Sequence, residues 1–249
     1  MASLRSFNKE QIADHTEAAR KLGLIKDEFH SHILENVRVS ELEGIDFIKK
    51  AYKKHGLVND SKKEFAIVAF GKNTKEVHYF PKGKGLKLKP NTLILLDIWA
   101  RLDKKNAPYA DMTWMFYFGK KVPKDILSKW NILKKARDTA LNKIRSSTLR
   151  EVLPSGVDID RAAHDVIGGA GFGNAIKHTI GHSLGFDSPH GKLPGINWRK
   201  YSPLLPNVGY TIEPGMYFDK FGMRTEIDFY IDKSGVVITT PLQKEIEII

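Results

Sequence analysis

Apolar and polar positions along the chain follow two periods in turn. Residues 8–36 place Ile12, Leu22, Ile25, Phe29 and Leu34 among many charges, the pattern of an amphipathic helix. A second helix is predicted next: Ser40 can cap it, Glu43 lies three residues on, and Ile45, Phe47, Ile48 and Tyr52 supply an apolar face until His55-Gly56 ends it. The period then shortens. EFAIVAFG (64–71) is β-rich, TLILLDIWA (92–100) is the nearly continuous apolar run of a strand buried on both faces, and DMTWMFYFG (111–119) predicts a third strand. A long helix over about 123–146 follows Pro123, and another begins near Asp158 through IDRAAHDVIGGAG. The stretch HTIGHSLGFDSPHG (178–191) and the segments VGYTIEPGMYF (208–218), GMRTEIDFYI (222–231) and GVVITTP (235–241) read as strand or strand and turn.

Helix, helix, strands thus occurs twice. No Pro/Gly/Ser-rich linker divides the chain, so one domain over 1–249 is expected, with approximate halves 1–122 and 123–249. Helices covering a mostly antiparallel sheet make the class α+β.

Composition narrows the function. No apolar run approaches the ~20 residues that span a bilayer. The first residues, MASLRSFNKEQIADHTEAARK, lack the apolar core and cleavage site of a secretory signal, so a cytoplasmic location is expected and a membrane partner is not. The absence of cysteine excludes disulfides, thiol catalysis and thiolate metal sites; any metal must be held by imidazole and oxygen, which favours manganese, cobalt, iron or zinc. A net charge of +11 raises the question of nucleic acid. The lysines, however, are scattered over Lys49, Lys50, Lys53 and Lys54, then Lys62 and Lys63, then Lys82, Lys84, Lys87 and Lys89, and no nucleic-acid signature accompanies them. A solvated basic surface is the better expectation.

Candidate chemistry gathers where the histidines do. His178, His182 and His190 fall in one short stretch. The first two are four apart, as on one helical face, but Thr179, Ile180 and Gly181 between them disfavour helix. A hard metal site would also need acids embedded in apolar strands. Asp97 sits in LILLDIWA, Asp111 opens DMTWMFYFG, Glu213 lies in YTIEPGMY, and Glu226 and Asp228 alternate about Ile227, which turns both to one strand face. Each acid alone has a bland reading as a cap, a turn residue or an ion-pair partner; together with the histidines they suggest a site. Asp97, Asp111, Glu213 and Glu226 bring a formal −4, which two divalent cations balance. Two such ions about 3.5–4 Å apart can lower the pKa of a shared water towards neutrality, a nucleophile suited to a polarised carbonyl.

These motifs resemble the pita-bread metallopeptidases, the group of methionine aminopeptidase, aminopeptidase P, prolidase and creatinase. TIEPGMY and GMRTE are most similar to the aminopeptidase P and prolidase branch, and the likeness runs over roughly residues 10–245. It implies a pita-bread fold of pseudo-two-fold halves and two divalent metal ions, manganese first, on Asp97, Asp111, His182, Glu213 and Glu226. It further implies Glu213 as the acid/base, His190 as donor to the scissile carbonyl, and His78, in VHYFP, as a substrate contact near the scissile bond. His178 becomes a nearby or substrate-side residue, and Arg224 pairs with a carboxylate of a ligand or of the substrate.

The chain departs from the family pattern in places. Asp97 and Asp111 are 14 positions apart, longer than usual, with the extra length in RLDKKNAPYA, which could shape the substrate pocket. His182 and His190 are eight apart, one more than the pattern, and Trp114 stands where the family often has arginine. The catalytic domain alone is expected, without the N-terminal domain of that branch. The implied activity is exopeptidase cleavage of an N-terminal peptide bond, with Xaa-Pro peptides or dipeptides first. The alternatives are a methionine aminopeptidase-like activity, cleavage of a non-peptide C–N bond, or a silent binding protein of the same fold; that last class typically loses ligands, whereas all five positions are filled here. A peptide is the partner expected, and a homodimer is left open.

Overall fold

The computed structural model describes residues 6–60, 65–197 and 201–249. Glu64, Lys62 and Lys63 lie outside the described residues. Helix α1 (Lys9–Glu35) starts at a capping box: Asn8 accepts from the Gln11 N–H at 2.9 Å, and the Gln11 side chain accepts from the Asn8 N–H at 3.0 Å. Its Leu22, Ile25, Phe29 and Ile33 form the buried stripe. Helix α2 (Glu41–His55) starts at the expected Ser40/Glu43 box and ends where Gly56 turns left-handed at φ 65°.

Strands β1 (Leu57–Val58), β2 (Ala66–Phe70), β3 (Thr92–Leu102) and β4 (Ala110–Phe118) follow, with β3 antiparallel to β1, β2 and β4. Side-chain alternation makes this sheet two-faced. Ile94, Leu96, Ile98, Met112 and Phe116 join the α1–α2 core. Leu93, Leu95, Trp99, Met115 and Tyr117 face the second half. Asp97 and Asp111 share that inner face, because Asp97 pairs with Thr113 and Trp99 with Asp111.

The second half repeats the order. Helices α3 (Lys124–Thr148) and α4 (Gly156–Gly169) pack on each other, and α3 packs on the strands that follow. Those strands are β5 (Tyr210–Ile212), β6 (Gly215–Tyr217), β7 (Gly222–Arg224), β8 (Ile227–Asp232) and β9 (Gly235–Ile238). β5 pairs β8, β6 pairs β7 and β8 pairs β9, all antiparallel. The two long predicted strands are each broken. Pro214 has no N–H to donate to a ladder, and opposite it the Thr225 N–H donates to Pro214 O at 3.3 Å. Glu213 and Glu226 flank this interruption.

Two features were not expected. A last strand, β10 (Glu247–Ile248), lies parallel to β4. Residues 239–241 leave β9 because Asp228 engages them: its carbonyl accepts from the Thr239 N–H at 3.0 Å and its N–H donates to Thr240 Oγ1 at 2.7 Å. The 178–191 stretch is extended without a continuous strand, held by single bridges of Gly181 with Ile196 and Ser183 with Tyr210. Among the described residues no helix is long and apolar enough to cross a membrane.

Candidate metal centre

The inner face of β3 and β4 meets the broken strands of the second half around a cavity of about 300 Å³. Asp97, Asp111, His182, Glu213 and Glu226 all border it, as do His78, His190 and Arg224. One ligand-type atom from each of Asp111, His182 and Glu226 lies within 4.8 Å of the other two. His182 Nε2 is 3.4 Å from Glu213 Oε1 and 3.8 Å from Asp111 Oδ2. The His182 Nδ1 sits 3.0 Å from Ser183 O, and a carbonyl only accepts, so Nδ1 carries the proton and Nε2 presents its lone pair to the carboxylates.

The titratable groups of the cluster are all displaced from their ordinary ranges, with burial as the first cause. Burial holds the Asp111 and Glu226 carboxyls well above the ordinary carboxylate range, and neighbouring carboxylates raise both further. Burial lifts Glu213 to about 7, against the pull of Arg224 and with help from Asp97. Burial also lowers His182 to about 3, which keeps the imidazole neutral, the form that ligates metal. Asp111 Oδ1 is buried with no hydrogen-bond partner among the described residues. A buried carboxylate oxygen without a donor is costly, and a divalent cation satisfies it. The set of carboxylate oxygens and one imidazole suits a hard or borderline divalent ion.

Arg224 is buried and pairs with Asp97 through Nη2. Asp97 is one of the ligand-type carboxylates expected as its partner. Its Nε donates to Thr113 Oγ1 at 2.9 Å, and Thr113 Oγ1 donates to Glu226 Oε2 at 2.7 Å. Its Nη1 reaches Tyr217 OH at 3.3 Å, and that hydroxyl is 2.8 Å from His178 Nε2. His178 itself is not on the cavity wall; it stands behind Glu213, with Nδ1 3.9 Å from Oε2. His78 and His190 are exposed on the wall, and the His190 ring centroid is 4.2 Å from that of His182. Trp114 turns away from the cavity by strand alternation: its Nε1 donates to Glu247 at 2.8 Å under the ammonium of Lys26. β3 continues to Leu102, so only part of RLDKKNAPYA is loop, and from it Tyr109 borders the cavity.

Sequence reading passed over the hydroxyls. Thr211 Oγ1 donates to Glu213 Oε1 at 3.2 Å and accepts from the His182 N–H at 3.0 Å, tying two ligand-type residues together. Thr113 and Thr211 each lie two positions from an acid on the same strand face, the signal that would have found them. Asp228 Oδ2 accepts from the Asp111 N–H at 2.7 Å and so fixes the strand there. Gly181 sets the approach of the His182 stretch to β5, since a Cβ there would come 2.2 Å from Thr211 O. Gly181→Ala is expected to destabilise the fold by about 1–3 kcal/mol and to weaken metal binding, read from urea midpoints and metal titration. Unchanged metal affinity would show that this contact does not position His182.

Comparison with known proteins agrees with this architecture. Residues 17–233 match metallopeptidase family M24. An uncharacterized peptidase of Staphylococcus epidermidis is 30% identical over 208 residues, 83% of this chain and 54% of the relative. The chain therefore spans about half the length of that curated relative. Solved structures that share the fold include an X-Pro aminopeptidase from Thermotoga maritima (TM-score 0.80) and an Xaa-Pro dipeptidase from Bacillus anthracis (TM-score 0.81). Each is 26% identical, with 98% of this chain and 64% of the other covered. The architecture is the pita-bread fold that the sequence motifs implied. With its family profile matched from residue 17 to residue 233, the chain belongs to metallopeptidase family M24.

Proposed function

We propose that the protein is a dinuclear-metal exopeptidase that hydrolyses the N-terminal bond of peptides or dipeptides, with Xaa-Pro substrates first. One observation carries this reading: four carboxylates and one neutral imidazole, drawn from both halves of the chain, converge on one cavity. The solved relatives named for Xaa-Pro cleavage support the substrate class. The chain is read as a single catalytic domain acting in the cytoplasm, with a homodimer left open. Methionine aminopeptidase-like action is the alternative.

Asp97, Asp111, His182, Glu213 and Glu226 would hold the two ions, manganese first and cobalt, iron or zinc after it. When bound, the ions supply Lewis acidity towards the peptide carbonyl and lower the pKa of a water nucleophile. Glu213 would act as the acid/base, accepting a proton from the attacking water at its carboxylate and returning it to the leaving amine, with Thr211 holding its Oε1 in place. His190 donates to the carbonyl oxygen as charge develops there, and His78 contacts the peptide beside it. Arg224 fixes Asp97 and, through Thr113, Glu226.

His190→Ala is expected to keep full metal content and to slow turnover by about 10²–10³. Metal loss in that variant would reassign His190 as a ligand. The function itself is tested with metal-stripped protein, assayed with and without manganese or cobalt on an Xaa-Pro dipeptide, an Xaa-Pro tripeptide and Met-Ala-Ser. Metal-dependent proline cleavage is expected, and the dipeptide and tripeptide rates choose between dipeptidase and aminopeptidase. Cleavage of Met-Ala-Ser alone would move the protein to the methionine branch, and failure to bind metal would favour the binding-protein reading.

A further inference from the structure

The cavity wall that carries His78 and Phe80 has no regular strand or helix beyond the short 3₁₀ turn Gly71–Lys75, so its position must be fixed from outside. Arg224 Nη1 donates to Val77 O at 3.4 Å and the Gly222 N–H to Thr74 Oγ1 at 2.9 Å, but most of the bonds that reach this wall end on one carboxylate remote from the metal cluster. Glu41, the first residue of α2, is fully buried. Its Oε1 accepts from the Phe70 N–H at 2.7 Å and from Asn73 Nδ2 at 3.0 Å. Its Oε2 accepts from Tyr79 OH at 2.6 Å and from the Leu86 N–H at 2.6 Å. Backbone bonds from the Glu41 N–H to Leu86 O and from the Leu42 N–H to Lys84 O close the same segment onto the helix start. Gly85 is required there: its φ is 67°, and a Cβ would come 2.3 Å from Glu41 Oε2. Tyr79, whose hydroxyl ends on the carboxylate, lies between the two wall residues His78 and Phe80.

We infer that Glu41 is a positioning residue for the substrate wall, holding His78 and Phe80 at the cavity through Tyr79 and the Leu86 backbone. The inference rests on the peptidase reading for its consequence in catalysis. A helix N-terminus favours a carboxylate in this place, and only a carboxylate offers two acceptor oxygens to donors converging from four sites. An amide turns one of those oxygens into a donor facing donors. Glu41→Gln keeps the shape and removes that match.

The test compares wild type, Glu41→Gln and Tyr79→Phe, each metal-loaded, and repeats Glu41→Gln in a His78→Ala/Phe80→Ala background. Glu41→Gln is expected to leave metal content intact and to lower kcat/KM about tenfold, whereas in the doubly substituted background it should cost less than about twofold more. Tyr79→Phe should show a smaller loss of the same kind. Full additivity would overturn the inference, because the carboxylate would then act on something other than this wall. Hydrogen exchange of residues 74–86 gives an arm independent of activity: Glu41→Gln should speed it while β3 and β4 stay protected. If wild type cleaves no peptide, the peptidase reading fails and exchange alone decides the positioning role; unchanged exchange overturns it.

Discussion

Replacing His182 or Glu226 with alanine is expected to abolish metal loading at one or both positions and activity with it. Atoms of Asp111, His182 and Glu226 share one 4.8 Å cluster, and Glu213 Oε1 lies 3.4 Å from His182 Nε2, so either truncation removes a donor from the centre of the group. The loss in kcat/KM should exceed the 10–100-fold typical of residues that only orient a ligand. Thr113→Val supplies that lesser case, since it removes the hydroxyl between Arg224 and Glu226 without touching a ligand-type side chain. Metal stoichiometry by elemental analysis, beside hydrolysis rates, separates the two. Full metal content in both alanine variants would remove these residues from the ligand set.

The parts of this site visible in the sequence are those whose chemistry conflicts with their surroundings. Asp97 in LILLDIWA and Asp111 ahead of MTWMFYF are acids where a buried strand should be apolar, and both fall on the inner face by simple alternation. Capping boxes at Asn8 and Ser40 are local, so the first two helix starts could be read from a few residues. Long-range geometry could not be read this way. The parallel pairing of β10 with β4, the shared role of Thr211 between His182 and Glu213, and the withdrawal of His178 behind Glu213 depend on segments far apart in sequence. The strand breaks fall between these cases. Pro214 announces its own interruption, whereas that at Thr225–Glu226 follows only from the pairing of β6 with β7 and β5 with β8.

Without bound metal, Glu213→Gln is expected to be more stable than wild type at neutral pH, although it is inactive. Glu213 has its carboxyl raised from 4.5 to about 7 by burial. A group raised on folding contributes its full stability below the unfolded value and loses it as pH rises through the folded one. The contribution therefore disappears between pH 4.5 and about 7, and the rise corresponds to about 3 kcal/mol. Wild type alone would not reveal this, because the buried histidines act in the opposite direction. His182 and His178 are both lowered to about 3, so their contribution is lost as pH falls from 6.5 towards 3. Those histidines are present in both proteins and largely cancel in the difference. Urea unfolding of the two metal-stripped proteins should coincide near pH 4.5 and diverge by pH 8, with the glutamine variant the more stable. Equal stabilities at pH 8 would mean that the Glu213 carboxylate is already compensated in the folded chain. Adding manganese should reverse the order at pH 8, because wild type offers the ions the carboxylate that the variant lacks, and a ligand that binds only the native state stabilises it by mass action.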